Sequence, residues 1–371
     1  MAGQTVLIDG YNLGLERGTG VATYARNLSA AVHGLGYRVE VLYGLRMPRV
    51  DDPLLREIFF FDPLPQRPHG LPRLALHRVK QVVLQPGGPA IHEIPLTGRV
   101  VAAPFRDRLP VADRIWNGSD IFGAARAHFT GLGRILPVHL PETPGIAHWT
   151  YPFPIRIPGA KNIYTLHDLV PLKLPYTTLT RTAGYRRLIR ALLDTADHIV
   201  TVSEQSKRDI CDLFDYPADK VTNTYQAARI PEAYAKQSVE SVQQVLRGLF
   251  NLDHRGYFLY FGAIEPKKNV GRLIEAYLST NVAAPLLVVG QNAWKAHQEL
   301  GFYEALGPSV RNRVRRLDHV PANILITLIR GAKAVLFPSL YEGFGLPVLE
   351  AMTLGTPVLT SKEGSTPEVA G

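Results

Sequence analysis

The sequence has little cysteine and no long apolar run. Cys211 is the single cysteine among 371 residues, so the chain cannot form an internal disulfide, and a reducing compartment suits it. No apolar stretch approaches the roughly 18–20 residues that a membrane-spanning helix needs. The residues after Met1 have neither a basic start nor an apolar core, which predicts that no secretory signal is present. We therefore expect a cytoplasmic protein.

Acidic residues are fewer than basic ones, and the formal net charge is +9. Such an excess calls for an anionic partner or surface. We do not expect nucleic acid, because the chain has no zinc-finger spacing, no RNP-like aromatic string and no basic helix that would read a groove. Two interpretations remain open. Scattered arginines can form a solvated face, or they can attract the protein peripherally to the inner face of an anionic membrane or to a phosphate-bearing lipid.

The length and the hydrophobic pattern predict two α/β domains, because about 100–200 residues form one domain. Strands alternate with helices in both halves, as doubly wound parallel sheets require. We place the first domain at 1–235, a linker at 236–256 and the second domain at 257–371. In the Pro-rich stretch 46–144, short helices are predicted around Leu74–Val83 and Ile115–Ala127. The strands predicted in the second domain are Tyr257–Phe261, Leu286–Val289, Val314–Val320, Ala334–Phe337 and Val358–Thr360.

Two carboxylates flank a glycine-rich turn near the C-terminus. A buried strand ends at Pro338, and a helix follows the turn. Glu342 therefore lies in a loop at the carboxyl end of a strand, and Glu350 lies about one turn into the helix, where open α/β sheets bind ligands. Gly343 and Gly345 leave backbone N–H groups bare beside a helix N-terminus, which suits negative charge or sugar hydroxyls. A solvated glutamate and a glycine turn that only relieves strain are the plainer interpretations.

Two lysines follow the first strand of the second domain. Lys267 and Lys268 precede a helix that Asn269 is expected to cap. Two ammonium groups beside a helix N-terminus would stabilise a diphosphate without a metal. The alternative is a solvated loop.

Histidines in the first half supply further candidates. His167 and Asp168 follow a predicted strand, so that His167 either pairs with its own neighbouring carboxylate or points toward a ligand. His148 is a weaker candidate of the same kind. The turn Gly18-Thr19-Gly20 precedes the first helix, where a glycine turn serves either structure or ligand binding. Ser203 is predicted to cap another helix.

The string Glu342-Gly343-Phe344-Gly345-Leu346-Pro347, followed by Glu350, resembles the signature of retaining GT-B glycosyltransferases, specifically of glycosyltransferase family 4. The loop Glu265-Pro266-Lys267-Lys268-Asn269 resembles the family's Glu-Pro-Arg-Lys-Asn motif. Lys267 departs from it, and a lysine cannot clamp a phosphate with two parallel hydrogen bonds. The resemblance implies the GT-B fold, with two Rossmann-like domains facing across a cleft. Family members continue past the position of Gly371, so the resemblance also implies a second domain that is either truncated or naturally short at its C-terminus.

The resemblance implies roles for individual residues. His167, near the donor's reactive carbon, and Glu342, on the donor sugar, are the catalytic candidates. Glu350 is expected to hold the ribose hydroxyls, and the backbone near Val320 the base. The complete set of donor-binding positions is Gly20, Lys267, Lys268, Val320, Phe344, Gly345, Leu346 and Glu350. The acceptor-side candidates are His148 and Asp168.

The implied activity is retaining transfer of a hexose from a nucleotide sugar to a saccharide or lipid-linked acceptor. The resemblance predicts mannose from GDP-mannose, because His-Asp-Leu-x-Pro at 167–171 resembles bacterial mannosyltransferases of surface-polysaccharide assembly. The chain has no Asp-x-Asp triplet, which argues against the metal-dependent GT-A enzymes, and we expect neither metal nor cofactor. Two alternatives stay open: a GT-B-like nucleotide-sugar epimerase, and an inactive nucleotide-sugar-binding homologue.

Overall fold

The chain divides into two compact units. A computed structural model describes residues 4–15, 20–62, 88–100, 109–305, 307 and 312–371. The first unit comprises Met1–Leu166, Ala183–Thr201 and Cys211–Thr222, and the second comprises His167–Thr182, Val202–Ile210 and Asn223–Gly371. Two short segments that follow strands of the first unit therefore belong to the second. The boundaries drawn from the sequence, with a linker at 236–256, stay a prediction.

The first unit is built on a twisted, mostly parallel sheet. Eight strands of the described residues form it in the order β10-β9-β8-β6-β1-β2-β4-β3, and β3 runs antiparallel to β4. Strands β5 and β7 pair separately in parallel. The ten strands are β1 Thr5–Asp9, β2 Arg38–Tyr43, β3 Ile91–Ile94, β4 Arg114–Gly118, β5 Leu136–Pro137, β6 Ile146–Trp149, β7 Ile155–Arg156, β8 Lys161–Thr165, β9 His198–Thr201 and β10 Val221–Asn223.

The predicted helix at Ile115–Ala127 is wrong in its first half. Ile115 and Trp116 are buried in strand β4, which pairs on both sides with neighbouring strands. Asp120 has a left-handed conformation, with φ of 55°, which ends the extended run, and the helix begins only at Ile121. The helix predicted around Leu74–Val83 lies outside the described residues.

Helices of the described chain cover the sheets, and none of them is long and apolar enough to cross a membrane. Ser203 caps one of them as predicted, since its Oγ accepts from the Ser206 N–H at 3.0 Å. The helices are α1 Gly20–Gly34, α2 Pro53–Phe61, α3 Ile121–Leu132, α4 Val170–Lys173, α5 Thr182–Thr195, α6 Glu204–Phe214, α7 Glu232–Ala235, α8 Val239–Phe250, α9 Val270–Leu278, α10 Ala296–Glu304, α11 Ala322–Gly331, α12 Leu346–Thr353 and α13 Thr366–Ala370.

The second unit contains a doubly wound parallel sheet. Its five strands within the described residues follow the order β13-β12-β11-β14-β15, so that the order reverses between β11 and β14. Three of the five strands have the predicted bounds, and β13 ends earlier, at Leu317, where the polar pair Asp318-His319 begins. The strands are β11 Phe258–Phe261, β12 Leu286–Val289, β13 Val314–Leu317, β14 Ala334–Phe337 and β15 Val358–Thr360.

Apolar residues cover both faces of this sheet. Helices α8 and α11 bury Val242, Leu246 and Leu328 against one face. Helices α9 and α10 bury Ile274 and Leu300 against the other. A parallel sheet that is covered on both faces leaves its strand ends as the place for ligands.

Candidate active site

The strand order of the second sheet marks a ligand site before any residue is considered. In open α/β sheets, ligands bind outside the carboxyl ends of the strands where the order reverses. Here those ends belong to β11 and β14, and the loops that follow them contain the two lysines and Glu342. The loops are joined, because the Leu340 N–H donates to the Lys267 carbonyl at 2.8 Å. The fold thus brings the two motifs of the sequence together.

Asn269 takes part in joining these loops, and its predicted role as a helix cap is wrong. A capping residue has an extended backbone, whereas Asn269 has a φ of 58° and makes no side-chain bond to the start of α9. Its Nδ2 instead donates to the Pro338 carbonyl at 3.3 Å.

An ion cluster lies at the centre of the site. Lys268 Nζ is 2.6 Å from Glu342 Oε1, and Lys267 Nζ is 3.9 Å from Glu342 Oε2 and 3.8 Å from Glu265 Oε1. Only 9% of the Glu342 side chain is exposed, compared with 13% for Lys268. Charges that are this close together and this well shielded from solvent interact far more strongly than ion pairs on the surface.

The cluster favours the ionised forms of Glu342 and Lys267. Burial on its own would raise the pKa of Glu342, but the charges of Lys268 and Lys267 outweigh it and hold that pKa below the usual value. Burial works in the opposite sense on Lys267, and Glu342, Asp168 and Glu265 together raise its pKa in spite of it. At neutral pH the site therefore contains the Glu342 carboxylate beside the Lys267 ammonium group.

The glycine turn after Glu342 packs directly on the backbone of His167. A Cβ at Gly343 would lie 2.3 Å from the His167 carbonyl oxygen, so no larger residue fits without a shift of the backbone. Gly345 has a φ of 109°, a conformation that glycine adopts without strain. Helix α12 begins at Leu346, and its Val348 and Leu349 N–H groups donate to the Gly345 carbonyl at 2.9 and 3.3 Å. The backbone amides of Phe344–Leu346, at the N-terminus of the helix, suit an anion or sugar hydroxyls.

Asp168 turns the chain into the short helix α4. Its Oδ1 accepts from the Val170 N–H at 3.0 Å. His167 and Asp168 both belong to the second unit, although they follow strand β8 of the first. The structure thus brings both residues to the Glu342 turn, while their roles stay predictions.

Glu350 lies on α12 in a different environment from Glu342. It is half-buried, and burial raises its pKa to about 7. Its carboxyl group therefore titrates near neutral pH. A ligand that donates hydrogen bonds to it would favour the ionised form.

The remaining predicted residues lie elsewhere. Val320 follows β13 in the second unit, whereas Gly20 begins α1 and His148 lies within β6 in the first. His148 is buried, and its Nε2 lies 2.7 Å from Thr165 Oγ1. Gly18 and Thr19 of the glycine turn are outside the described residues. In the described ranges, no three His, Cys, Asp or Glu side chains are grouped so as to hold a metal.

Sequence reasoning missed a set of contacts from the segments 167–182 and 202–210. Tyr341, directly before Glu342, donates its hydroxyl to Asp209, and Asp209 also accepts from Lys173 Nζ at 2.9 Å. Ser206 donates to the His167 carbonyl at 2.8 Å. No local spacing signals these contacts, because they join residues more than 30 positions apart in the chain.

Two family models match the chain. Residues 18–225 match the family described as Glycosyltransferase Family 4, and residues 247–371 match the one described as Glycosyl transferases group 1. The first match covers more than half of the chain. The chain belongs to glycosyltransferase family 4. The family resemblance predicted from the sequence is thus confirmed.

The most similar relatives of this family 4 protein include bacterial mannosyltransferases. It is 35% identical over 215 residues to O-antigen chain mannosyltransferase B of Escherichia coli, covering 56% of this chain and 55% of that one. It is 26% identical over 214 residues to D-inositol 3-phosphate glycosyltransferase of Corynebacterium glutamicum, covering 55% and 51%. The chain spans about half the length of the curated relatives it matches.

Solved structures of glycosyltransferases establish the fold of this family 4 chain. Sucrose-phosphate synthase from Thermosynechococcus elongatus matches 97% of this chain and 82% of its own, with a TM-score of 0.59 and 17% identity. WaaG, a glycosyltransferase involved in lipopolysaccharide biosynthesis, matches 98% and 83%, with a TM-score of 0.58 and 17% identity. With its two parallel Rossmann-like sheets, the protein has the predicted GT-B fold.

Proposed function

We propose that this protein is a retaining, metal-independent hexosyltransferase that uses a nucleotide sugar. The observation that carries the proposal is the buried cluster of Lys267, Lys268 and Glu342 at the carboxyl ends of β11 and β14. Two fixed cations at a helix N-terminus take the place that a metal ion has in other enzymes, since they stabilise charge where it develops.

The chemistry follows from the charges. When the bond from the sugar to the diphosphate breaks, negative charge develops on the leaving oxygen and positive charge on the anomeric carbon. In this proposal Lys268 and Lys267 stabilise the former, and the Glu342 carboxylate stabilises the latter. Glu350 holds the ribose hydroxyls, and the amides of the Phe344–Leu346 turn bind the sugar.

Retention needs the acceptor to attack from the side that the diphosphate leaves. We propose that the leaving phosphate oxygen takes the acceptor proton, with His167 beside the reactive carbon. A double displacement through Glu342 is the other possible route, and trapping of a glycosyl–Glu342 adduct would favour it.

For the donor we propose GDP-mannose, and for the acceptor a saccharide or a lipid-linked oligosaccharide of bacterial surface-polysaccharide assembly. The similarity to O-antigen mannosyltransferases supports this choice. The net charge of +9 supports peripheral binding to the inner face of an anionic membrane. Sedimentation with anionic and with neutral vesicles tests that part, and equal binding to both would contradict it.

The direct test is a transfer assay on purified protein with EDTA present, after a thermal-shift screen of nucleotide sugars has identified the donor. Glu342→Ala is expected to abolish transfer and to retain nucleotide binding. Unchanged turnover would rule out the assignment of Glu342. NMR of donor alone separates transfer from epimerisation, which no comparison supports, and nucleotide binding without turnover would indicate the inactive homologue.

A further inference from the structure

The loop that presents Glu342 is held by residues of helix α6. The Tyr341 hydroxyl donates to Asp209 Oδ2, while Asp209 Oδ1 accepts from Lys173 Nζ at 2.9 Å and from Gln205 Nε2 at 3.1 Å. Asp209 is only 3% exposed. A buried carboxylate with three donors has a fixed position, because each lost partner would leave charge uncompensated.

A second bond from the same helix reaches the backbone of His167. Ser206 Oγ donates to the His167 carbonyl at 2.8 Å and lies 3.3 Å from the Gly343 carbonyl. Gly343 itself has no room for a Cβ against that His167 oxygen. Ser206 thus fixes the place where the Glu342 turn meets the backbone of His167.

The far side of the turn is fixed through the last helix. Ser365 Oγ lies 2.9 Å from the Glu342 carbonyl and 2.7 Å from the Phe344 carbonyl. Three residues later, the Glu368 carboxylate accepts from the N–H groups of Glu204 and Gln205 at 3.0 and 3.1 Å. The segment 365–368 therefore contacts both the Glu342 turn and the start of α6.

We propose that Tyr341, Ser206 and Asp209 are positioning residues for sugar transfer. They contact the backbone or the neighbours of Glu342 and His167. Ser206 and Asp209 act from the first turns of α6, and Tyr341 acts from the loop directly before Glu342. The inference rests on the proposed function. Misplacement of a reacting group by a fraction of an ångström lowers the rate of the chemical step and leaves binding of the nucleotide largely intact.

Tyr341→Phe tests the proposal, because it removes only the hydroxyl and leaves Asp209 paired with Lys173 and Gln205. Tyr277→Phe is the matched control. Tyr277 is also 6% exposed, in the same unit, and its hydroxyl donates to the Ala284 carbonyl at 2.8 Å, away from the Glu342 turn. Both variants lose one tyrosine hydrogen bond, and Tyr341→Phe is expected to lose more thermal stability, because its partner is a charged carboxylate and that of Tyr277 is a neutral carbonyl.

With GDP-mannose as donor, Tyr341→Phe is expected to lower kcat about tenfold, while the KM for GDP-mannose and the Kd of GDP change less than about twofold. Tyr277→Phe should keep kcat. Ser206→Ala should lower kcat in the same way. Equal kcat in Tyr341→Phe and Tyr277→Phe, or a loss confined to KM, would overturn the proposal.

Hydrogen exchange separates this inference from the proposed function. The amides of 342–346 are expected to exchange faster in Tyr341→Phe than in wild type, and at the wild-type rate in Tyr277→Phe. If the wild type transfers no sugar but shows this exchange pattern, the proposed function fails and the positioning of the turn stands. Unchanged exchange in Tyr341→Phe contradicts the positioning whatever the activity.

Discussion

Glu342 and Glu350 are neighbours in the sequence, yet their surroundings act on them in opposite directions. Burial opposes ionisation of both. At Glu342 the adjacent charges of Lys268 and Lys267 outweigh burial, and the pKa is lowered. At Glu350 burial is the cause that acts, and the pKa rises to about 7. The charged carboxylate of Glu342 is suited to stabilise a developing positive charge. The carboxyl group of Glu350, whose pKa lies near neutral pH, is suited to accept hydrogen bonds from hydroxyl groups.

The difference shows what the glycine turn between them contributes. It places Glu342 at the end of β14, within 2.6 Å of a lysine from the loop after β11. The same turn starts helix α12, on which Glu350 lies. There burial raises the pKa of Glu350. Two identical side chains thereby acquire different chemistry through position alone.

The largest effect is expected from Glu342→Gln. This change removes the carboxylate that both lysines share, and Lys268 loses its partner at 2.6 Å, which costs about 3 kcal/mol of unfolding free energy. Transfer should fall at least about 100-fold, because the charge that stabilises the anomeric carbon is lost. Urea unfolding and initial rates measure both effects.

Glu275→Gln is the control for that prediction. Glu275 pairs with Arg272 at 2.8 Å on the surface, with 39% and 78% of the side chains exposed. Its loss should cost less than about 1 kcal/mol. Similar costs for the two variants would mean that the Glu342 cluster is not the strong interaction its burial implies.

The elements that the sequence predicted well are those with strong local signals. Strands Leu286–Val289 and Ala334–Phe337 are continuous apolar runs in a sheet covered on both faces, and their bounds agree with the prediction. Ile115 and Trp116 have the same apolar character, but the short run did not distinguish a strand from a helix. Pairing with the neighbouring strands β2 and β3 determines that these two residues form a strand.

The site was predictable as a set of residues but not as a set of contacts. Lys268 and Glu342 were each assigned to the donor from their own motif, while the bond between them spans 74 positions. The bond between Tyr341 and Asp209 spans 132. Contacts at such separations depend on how the strands are ordered, which local patterns do not encode.

The second effect concerns pH and Glu350. The folded-state pKa of about 7 lies above the ordinary value of 4.5, so the unfolded chain ionises first as the pH rises. Stability contributed by this group is therefore complete below about pH 4.5 and is lost as the pH rises toward 7. The variant Glu350→Gln does not lose stability in this way, because a glutamine side chain does not titrate.

We expect the stability of Glu350→Gln relative to wild type to increase between pH 4.5 and 7 and then to level off. The full pKa shift of Glu350 corresponds to at most about 3 kcal/mol of unfolding free energy, and its partial exposure reduces this contribution to about 1–2 kcal/mol. Urea unfolding across this pH range measures it. A difference that is constant with pH would show that Glu350 titrates normally.

The smallest effect is expected from Lys267→Arg, which restores the residue that the family motif usually has. Arginine can bind a phosphate with two parallel hydrogen bonds, whereas Lys267 acts as a point charge. Because Lys268 keeps its 2.6 Å contact with Glu342, the Glu342 environment should persist and kcat should change little. The Kd of GDP should fall about two- to threefold, within the few tenths of a kcal/mol that one exchanged cation contributes. Calorimetric titration measures it, and weaker binding with an unchanged melting temperature would mean that Lys267 serves the Glu342 and Glu265 carboxylates instead of the diphosphate.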